Sequence, residues 1–384
     1  MPTTRLKNVQ YRLMLPFFAP RPGKDPLIHT EGHPVRNLNA FLHIIRRHHV
    51  LGSATLMDDG SGQALLLTRS QSPRHVPEPD TFFRVASITK VAASAVAMRM
   101  TEEGLLDLDG EILPLLPAVS GLEPLRGITL RQLLSHTSGL LDPETLERDL
   151  NEGKPLTETL KSARRLAPGS GFHYSNLGYG ILGCVMESVL NQPVSRIFED
   201  WLFKPLGMRA SLGGLSLPVG KIMPVARVLV YHEGQDVVLT PLGSRPLVSA
   251  DPMRHFGHTA GSMYTDVRSL YALMRMLLLG GNGFLKESSV REMCREHASY
   301  GKLSPTLSYG LGLLRVRDSS LAANDLIGHQ GFAYGCVDGA FWEEGSERLL
   351  LFLNGGCSEA RNGRLGLANR DMARWAFRKE FPSW

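Results

Sequence analysis

A serine and a lysine three residues apart at a helix start carry their side chains on one face, one turn apart. Ser87-Ile88-Thr89-Lys90 has this spacing. A lysine so placed can accept the serine's proton or stabilise its alkoxide, which an unaided serine cannot achieve near neutral pH. The stretch before it, Thr81-Phe82-Phe83-Arg84-Val85, reads as extended, and Val91 to Met100 after it is an apolar, Ala-rich helical run. The tetrad recurs at Ser299-Tyr300-Gly301-Lys302, where Gly301 and Pro305 leave no helical run to hold Lys302 in place. Taken alone, either tetrad is a solvated helix start; context selects Ser87 as the candidate nucleophile.

Tyr174-Ser175-Asn176 is a second chemical motif, and of nine tyrosines only Tyr174 has Asn two residues on. A tyrosine has an unperturbed pKa of about 10, and a cationic lysine beside it favours the phenolate. Tyr174 could then serve as general base toward Ser87 and general acid toward a leaving group. Asn176 offers a donor and an acceptor, suited to a substrate amide or to the lysine; the plainer alternative is an Asn capping the helix that follows. The third motif is His329-Gln330-Gly331, placed just before strand-like sequence from Gly335. A glycine there lets a substrate approach the backbone of an edge strand. His-x-Gly also occurs at His232 and His255, so its placement, not the triplet, distinguishes His329.

These residues need elements to hold them. Residues 36–50 predict a helix, with Leu38, Phe41, Leu42 and Ile45 at helical spacing. Strand-like runs follow at Gly52 to Met57 and Gln63 to Thr68, joined by the turn Asp58-Asp59-Gly60-Ser61-Gly62. The Ser87 helix is expected to end near Glu103-Gly104. Helices are predicted at Ile128 to Leu134, Gly178 to Leu190 and Asp266 to Leu279, with a small hairpin of Val225 to Tyr231 and Val237 to Thr240. Strands return at Leu311 to Val316, Gly335 to Trp342 and Arg348 to Asn354, before a closing helix from Leu367 to Phe377. Strands at both ends around a helical middle imply an α/β (α+β) fold, an antiparallel sheet made by the two ends of the chain with a largely helical insert.

Composition narrows the class. A chain of 384 residues, 43% hydrophobic and 21% charged, suits a soluble globular protein with a large core or two subdomains. The net charge of +5 comes from scattered arginines, not a basic block, which argues against nucleic-acid binding. No stretch of 18 apolar residues suits a membrane span. Leu13 to Ala19, broken by Pro16, does not suit a signal peptide, so a cytoplasmic location is the default expectation. The four cysteines show no Cys-x-x-Cys pairing, and Cys184 lies in an apolar helical run, as a buried thiol would. The thirteen histidines lack metal-ligand spacing, so neither metal nor cofactor is implied. The chain contains no Gly-x-Ser-x-Gly elbow, no P-loop and no dinucleotide fingerprint.

Ser-x-x-Lys, Tyr-x-Asn and His-x-Gly in that order resemble the serine β-lactamase-like superfamily, in the branch of class C β-lactamases, D-alanyl-D-alanine carboxypeptidases and related esterases. ITLRQLLSHTSGL (Ile128 to Leu140), PGSGFHYSNLGYGILG (Pro168 to Gly183), FKPLGM (Phe203 to Met208), Ala260 to Tyr264 with Asp266, Tyr309 to Gly312 and Gly328 to Gly331 extend the resemblance from about residue 36 to 355. It implies a catalytic domain over 36–384, with an α/β subdomain at about 36–95 and 255–384 and a mainly helical one at about 96–254; residues 1–35, rich in Pro and Arg, lie outside it and read as an irregular extension. It further implies Ser87 as nucleophile, Lys90 as its electrostatic and proton partner, Tyr174 as general base, and Asn176, His329 and Gly331 as substrate-binding residues. The backbone N–H groups of Ser87 and Phe332 would form the oxyanion hole. Two departures stand out: histidine replaces the lysine of β-lactamases proper, which favours esters or small amides over β-lactams, and Gln330 replaces the usual Thr or Ser. The expected function is a serine hydrolase of an ester or amide, β-lactams and D-amino-acid peptides included, through an acyl-serine. Its substrate would be a small molecule or short peptide. An acyltransferase using the same residues is the alternative; a non-catalytic scaffold would have no need of all five.

Overall fold

Short apolar runs from the two ends of the chain meet in one antiparallel sheet. The computed structural model describes residues 27–35, 37–69, 77–214, 216–223, 256–333 and 335–378. Strand β1 (Leu27–Gly32) and helix α1 (Leu38–Arg47) precede the hairpin of β2 (Gly52–Asp58) and β3 (Gln63–Arg69). The short β4 (Phe83–Arg84) leads into α2 (Thr89–Glu102). The middle is helical, with α3 (Leu130–Leu134), α4 (Leu146–Glu152), α5 (Leu156–Ser162), α6 (Asn176–Leu190) and α7 (Val194–Phe198) before β5 (Ala210–Leu212). Next come α8 (His258–Gly261), β6 (Met263–Thr265), α9 (Val267–Leu278) and α10 (Glu287–Cys294). Strands β7 (Ala298–Ser299), β8 (Leu307–Tyr309), β9 (Leu314–Val316), β10 (Leu326–Ala333), β11 (Cys336–Glu343) and β12 (Leu349–Asn354) then complete the large sheet. A hairpin of β13 (Arg361–Asn362) and β14 (Leu365–Gly366) delivers the closing helix α11 (Leu367–Phe377).

The nine-stranded sheet runs β1-β3-β2-β12-β11-β10-β9-β8-β7, and its early and late strands join at β2–β12, where Asp58 faces Leu349 and Ser53 faces Asn354. Leu65 and Leu67 of β3 and Leu351 and Leu353 of β12 pack in one core with α2 and α9. Leu66 and Phe352 point the other way, into a core with Phe41 and Ile44 of α1 and Trp375 of α11. Burial on both faces explains why these strands read as continuous apolar runs rather than alternating ones.

Several expectations need correction. Part of the supposed irregular extension is β1, paired with β3 from Leu27↔Arg69 to Gly32↔Ala64. Its His29, Thr30 and Glu31 lack an apolar alternation because it is an edge strand held mainly by pairing. The strand predicted from Gly335 is β11, but His329 lies on a separate strand before it, β10, that is not predicted, because Gly328, Gln330 and Gly331 dilute its pattern. The predicted strand from Leu311 begins only at Leu314, because Gly312 takes a left-handed φ of 76°. The small hairpin expected over 225–240 lies outside the described residues, as do His232 and His255.

Candidate active site

β4 pairs with β6, and the chain then turns sharply: Ala86 has φ 45°, a region unfavourable for alanine. Ser87 sits in a 3₁₀ turn, Ala86–Ile88, and α2 begins only at Thr89, so Ser87 precedes the helix rather than opening it. Thr89 Oγ1 locks this turn by donating to Ala86 O at 2.6 Å and accepting from Met263 N–H at 3.0 Å. α2 is buried nearly all round, which carries Lys90 inside with no exposed surface. Its Nζ reaches Ser87 Oγ at 3.2 Å, Asn176 Oδ1 at 2.9 Å and Ala260 O at 2.5 Å. Burial lowers the Lys90 pKa to about 7, against the opposing pull of Asp142.

Tyr174 lies over the lysine, with Nζ 4.8 Å from its ring centroid, and its hydroxyl is hydrogen bonded to Ser87. Burial pushes this phenol well above its ordinary range, and the Ser87 hydrogen bond acts the other way. The expectation of a phenolate made accessible by Lys90 is therefore corrected: of the two groups, the lysine is the one near its neutral form at pH 7. Asn176 opens α6 and is held on both sides, Oδ1 accepting from Lys90 and Nδ2 donating to Asp142 Oδ2 at 3.0 Å. In this structure it orients the lysine, the second of the two uses its amide offered.

Asp142 carries no motif in the sequence, yet it organises this corner. Its carboxylate accepts from Ser175 Oγ (2.8 Å), Asn176 N–H (2.9 Å) and Leu177 N–H (3.0 Å), at the positive N-terminus of α6. One acidic residue followed by Pro143 has no spacing that would single it out.

His329 faces the same cavity but not as a cation. Its Nδ1–H donates to Gln330 O at 2.7 Å, and Nε2 accepts from the Tyr309 hydroxyl at 2.8 Å. Burial, with Lys90 nearby, lowers its pKa to about 3. The partial charge expected of this histidine is absent near neutrality. Gln330 points to the other face, where Nε2 donates to Arg364 O at 2.6 Å and Oε1 accepts from Gly366 N–H at 3.0 Å. It anchors the β13–β14 hairpin.

The backbone of β10 supplies a further donor. Glu344 N–H donates to Asp325 O at 2.9 Å, in the register that pairs Leu326 with Glu343. Antiparallel alternation then directs the odd-numbered residues of β10 to β11 and turns the N–H groups of Gln330 and Phe332 to the opposite edge. β9 pairs with that edge only at Leu326 to Gly328, and β10 packs against the Ser87 turn. The approach is close enough that a Cβ on Gly331 would lie 2.4 Å from Val85 O. Ser87 N–H, in the first turn of its 3₁₀ segment, has no partner within it. These two N–H groups are the donors that a developing oxyanion at Ser87 would use.

The cavity above holds about 750 Å³. Leu141, Leu146 and Leu150 line one side, and Phe332, with the Arg361 guanidinium 3.5 Å from its ring centroid, lines another. The rival tetrad differs: Ser299 lies on the outermost strand β7, and both Ser299 and Lys302 are exposed. All four cysteines are free, and Cys184 is buried. Among the described residues, no helix is long and apolar enough to cross a membrane, and no cluster of His, Cys, Asp or Glu could hold a metal ion.

A sheet built from both ends of a chain, with helices on each face and a serine–lysine turn beneath a late strand, defines the β-lactamase/transpeptidase fold. The Beta-lactamase family profile matches residues 47–341, and the chain belongs to this family of serine hydrolases. Esterase EstB of Burkholderia gladioli is 29% identical over 334 residues, spanning 76% of this chain and 82% of the relative. The D-alanyl-D-alanine-carboxypeptidase/endopeptidase AmpH of Escherichia coli (strain K12) is 27% identical over 44% of this chain and 46% of its own. Among solved structures, D-amino acid amidase from Ochrobactrum anthropi SV3 superimposes with a TM-score of 0.70 at 22% identity, over 88% of this chain and 96% of the other, a likeness of fold.

Proposed function

We propose that this serine hydrolase is an esterase for small, uncharged esters, with small amides as poorer substrates, acting through an acyl-Ser87 intermediate. The observation that carries this reading is the fully buried Lys90 amine, 3.2 Å from Ser87 Oγ and poised at about 7. Neutral Lys90 takes the Ser87 proton, and Oγ attacks the ester carbonyl. The oxyanion is held by the N–H groups of Ser87 and Phe332, donors of a kind worth about 3–4 kcal/mol each. As the tetrahedral centre collapses, Tyr174 gives its proton to the departing alkoxide, and the Lys90 ammonium beneath the ring returns a proton to Tyr174. Both residues are then back in their starting forms. Water repeats the sequence on the acyl-serine, losing its proton to Lys90 while Ser87 Oγ leaves with one from Tyr174.

The neutral, hydrogen-bonded His329 supports the preference for uncharged substrates, because it offers no cation where a β-lactam carboxylate would be held. The 29% identity to an esterase supports the same reading. Intact-mass measurement after brief exposure to activated esters, followed by peptide mapping, should show one acyl group on the Ser87 peptide. Ser87→Ala should show none and should not turn over. An acyl group on Ser299, or undiminished hydrolysis by Ser87→Ala, would overturn the mechanism.

A further inference from the structure

Tyr174 is held from both sides by one residue that no motif of the proposed chemistry includes. The carbonyl of His136 accepts the His173 N–H at 2.8 Å, and its ring Nδ1 accepts the Ser175 N–H at 3.1 Å. The two amides flanking Tyr174 in sequence therefore end on the same histidine. Between them, the His136 ring lies against the Tyr174 ring, centroids 4.2 Å apart with planes inclined by 35°. His136 does this from φ 58°, a left-handed conformation uncommon for histidine. A residue retained in such a conformation is held there by its surroundings, and here these are Tyr179, Tyr309 and Phe172, with ring centroids at 5.1, 4.8 and 5.7 Å.

The ring's tautomer follows from its bonds. An Nδ1 that accepts an amide N–H carries no proton, so the neutral ring carries it on Nε2. Among the described residues, the buried Nε2 has no hydrogen-bond partner. His136 is thus not a link in a proton relay. Burial and the neighbouring Lys90 keep it uncharged, which preserves Nδ1 as an acceptor.

We propose that His136 is the positioning residue of Tyr174: its unprotonated Nδ1 and stacked ring aim the phenol at Ser87 for proton delivery to the leaving group. This rests on the acid role given to Tyr174 above. A histidine that merely filled space would affect every substrate alike when replaced. One that aims an acid affects substrates in proportion to how much their leaving groups need a proton. Alkyl esters, which leave as strongly basic alkoxides, need it; nitrophenyl esters do not.

The test compares kcat/KM, which reports acylation and so the leaving group, for an alkyl ester and a nitrophenyl ester of the same acid in wild type, Tyr174→Phe, His136→Leu, His136→Gln and His136→Asn. Asparagine places Oδ1 where Nδ1 stood and tolerates φ above zero, so His136→Asn should keep kcat/KM for both esters within about threefold of wild type, far short of what general acid catalysis supplies. His136→Gln moves the acceptor out by one methylene. It and His136→Leu should lose roughly 10–100-fold on the alkyl ester, part of the ~10²–10⁴ that general acid–base catalysis supplies, with little change on the nitrophenyl ester. If His136→Leu does not fold, the Asn and Gln variants still carry the comparison. Equal losses on both esters, or an Asn variant no better than Gln, would overturn the positioning role. A Tyr174→Phe enzyme with no discrimination between the esters would instead overturn the acid role itself, so the two failures are distinguishable.

Discussion

Lys90 donates to three acceptors, a full set for an ammonium, while its complete burial favours the neutral amine. These opposing influences leave the group near the middle of its titration at neutral pH, where a general base works best. The sign of the pH dependence follows. Below about 7 the lysine is protonated and cannot accept from Ser87, so kcat/KM for a neutral ester should rise with pH through an apparent pKa near 7 and then level off. A pH–rate profile flat from pH 5 to 9 would remove Lys90 from the role of base. His329 gives the companion prediction. With its pKa lowered to about 3, it stays uncharged across that range, so KM for an anionic ester and a neutral ester should run in parallel from pH 5 to 8. A selective loss of anionic affinity near pH 6.5 would show a histidine that charges after all.

At the scale of elements, the site is the meeting of a turn and a strand. Gly331 lets β10 lie against the turn that carries Ser87, and any side chain there would meet the Val85 carbonyl. Gly331→Ala should push the strand away and withdraw the Phe332 N–H. We expect kcat to fall by roughly 10²–10³, the usual worth of one such donor, with KM changed far less; an unchanged kcat would mean that the strand's N–H is not used. The helices around this junction were legible from apolar spacing: Leu367–Phe377 matches its predicted limits, and Asn176–Leu190 differs only at its first turn. β1 and β10 were not, because pairing partners remote in sequence supply what their own alternation lacks. Within the site, Ser87, Lys90, Tyr174, Asn176 and His329 could be singled out by spacing and order, and they do share one cavity or its floor. The charge on His329 could not be read, since the burial and the nearby Lys90 that keep it neutral are tertiary facts. Asp142 was hidden, and the role of His136 inside ITLRQLLSHTSGL was too, for a related reason: each acts through backbone N–H groups that have no sequence signature.

For the molecule as a whole, stability and chemistry separate along the sheet. Asp58, buried on β2, accepts from the Tyr271 hydroxyl at 2.5 Å and from Arg275 Nη1 at 3.0 Å, tying the sheet to α9 away from the cavity. Asp58→Ala removes one charged partner of a half-buried arginine and should lower stability by about 1.5–3 kcal/mol. Thermal melting should show the loss while kcat/KM of the folded enzyme stays at the wild-type value. A large kinetic defect at full stability would mean that the sheet transmits strain to the site.

The seam between β2 and β12 has a consequence for biosynthesis. A chain leaving the ribosome releases Ser87 and Lys90 early and Tyr174 midway, but the strand beside the nucleophile is held in place by β11, and β11 by β12, which ends at Asn354. Contacts between segments so remote in sequence form late and slowly. The nascent polypeptide therefore carries its nucleophile, and the amine that activates it, through most of translation without the second donor that would receive negative charge. Reactivity arrives with closure of the sheet, so the finished topology also times the onset of catalysis.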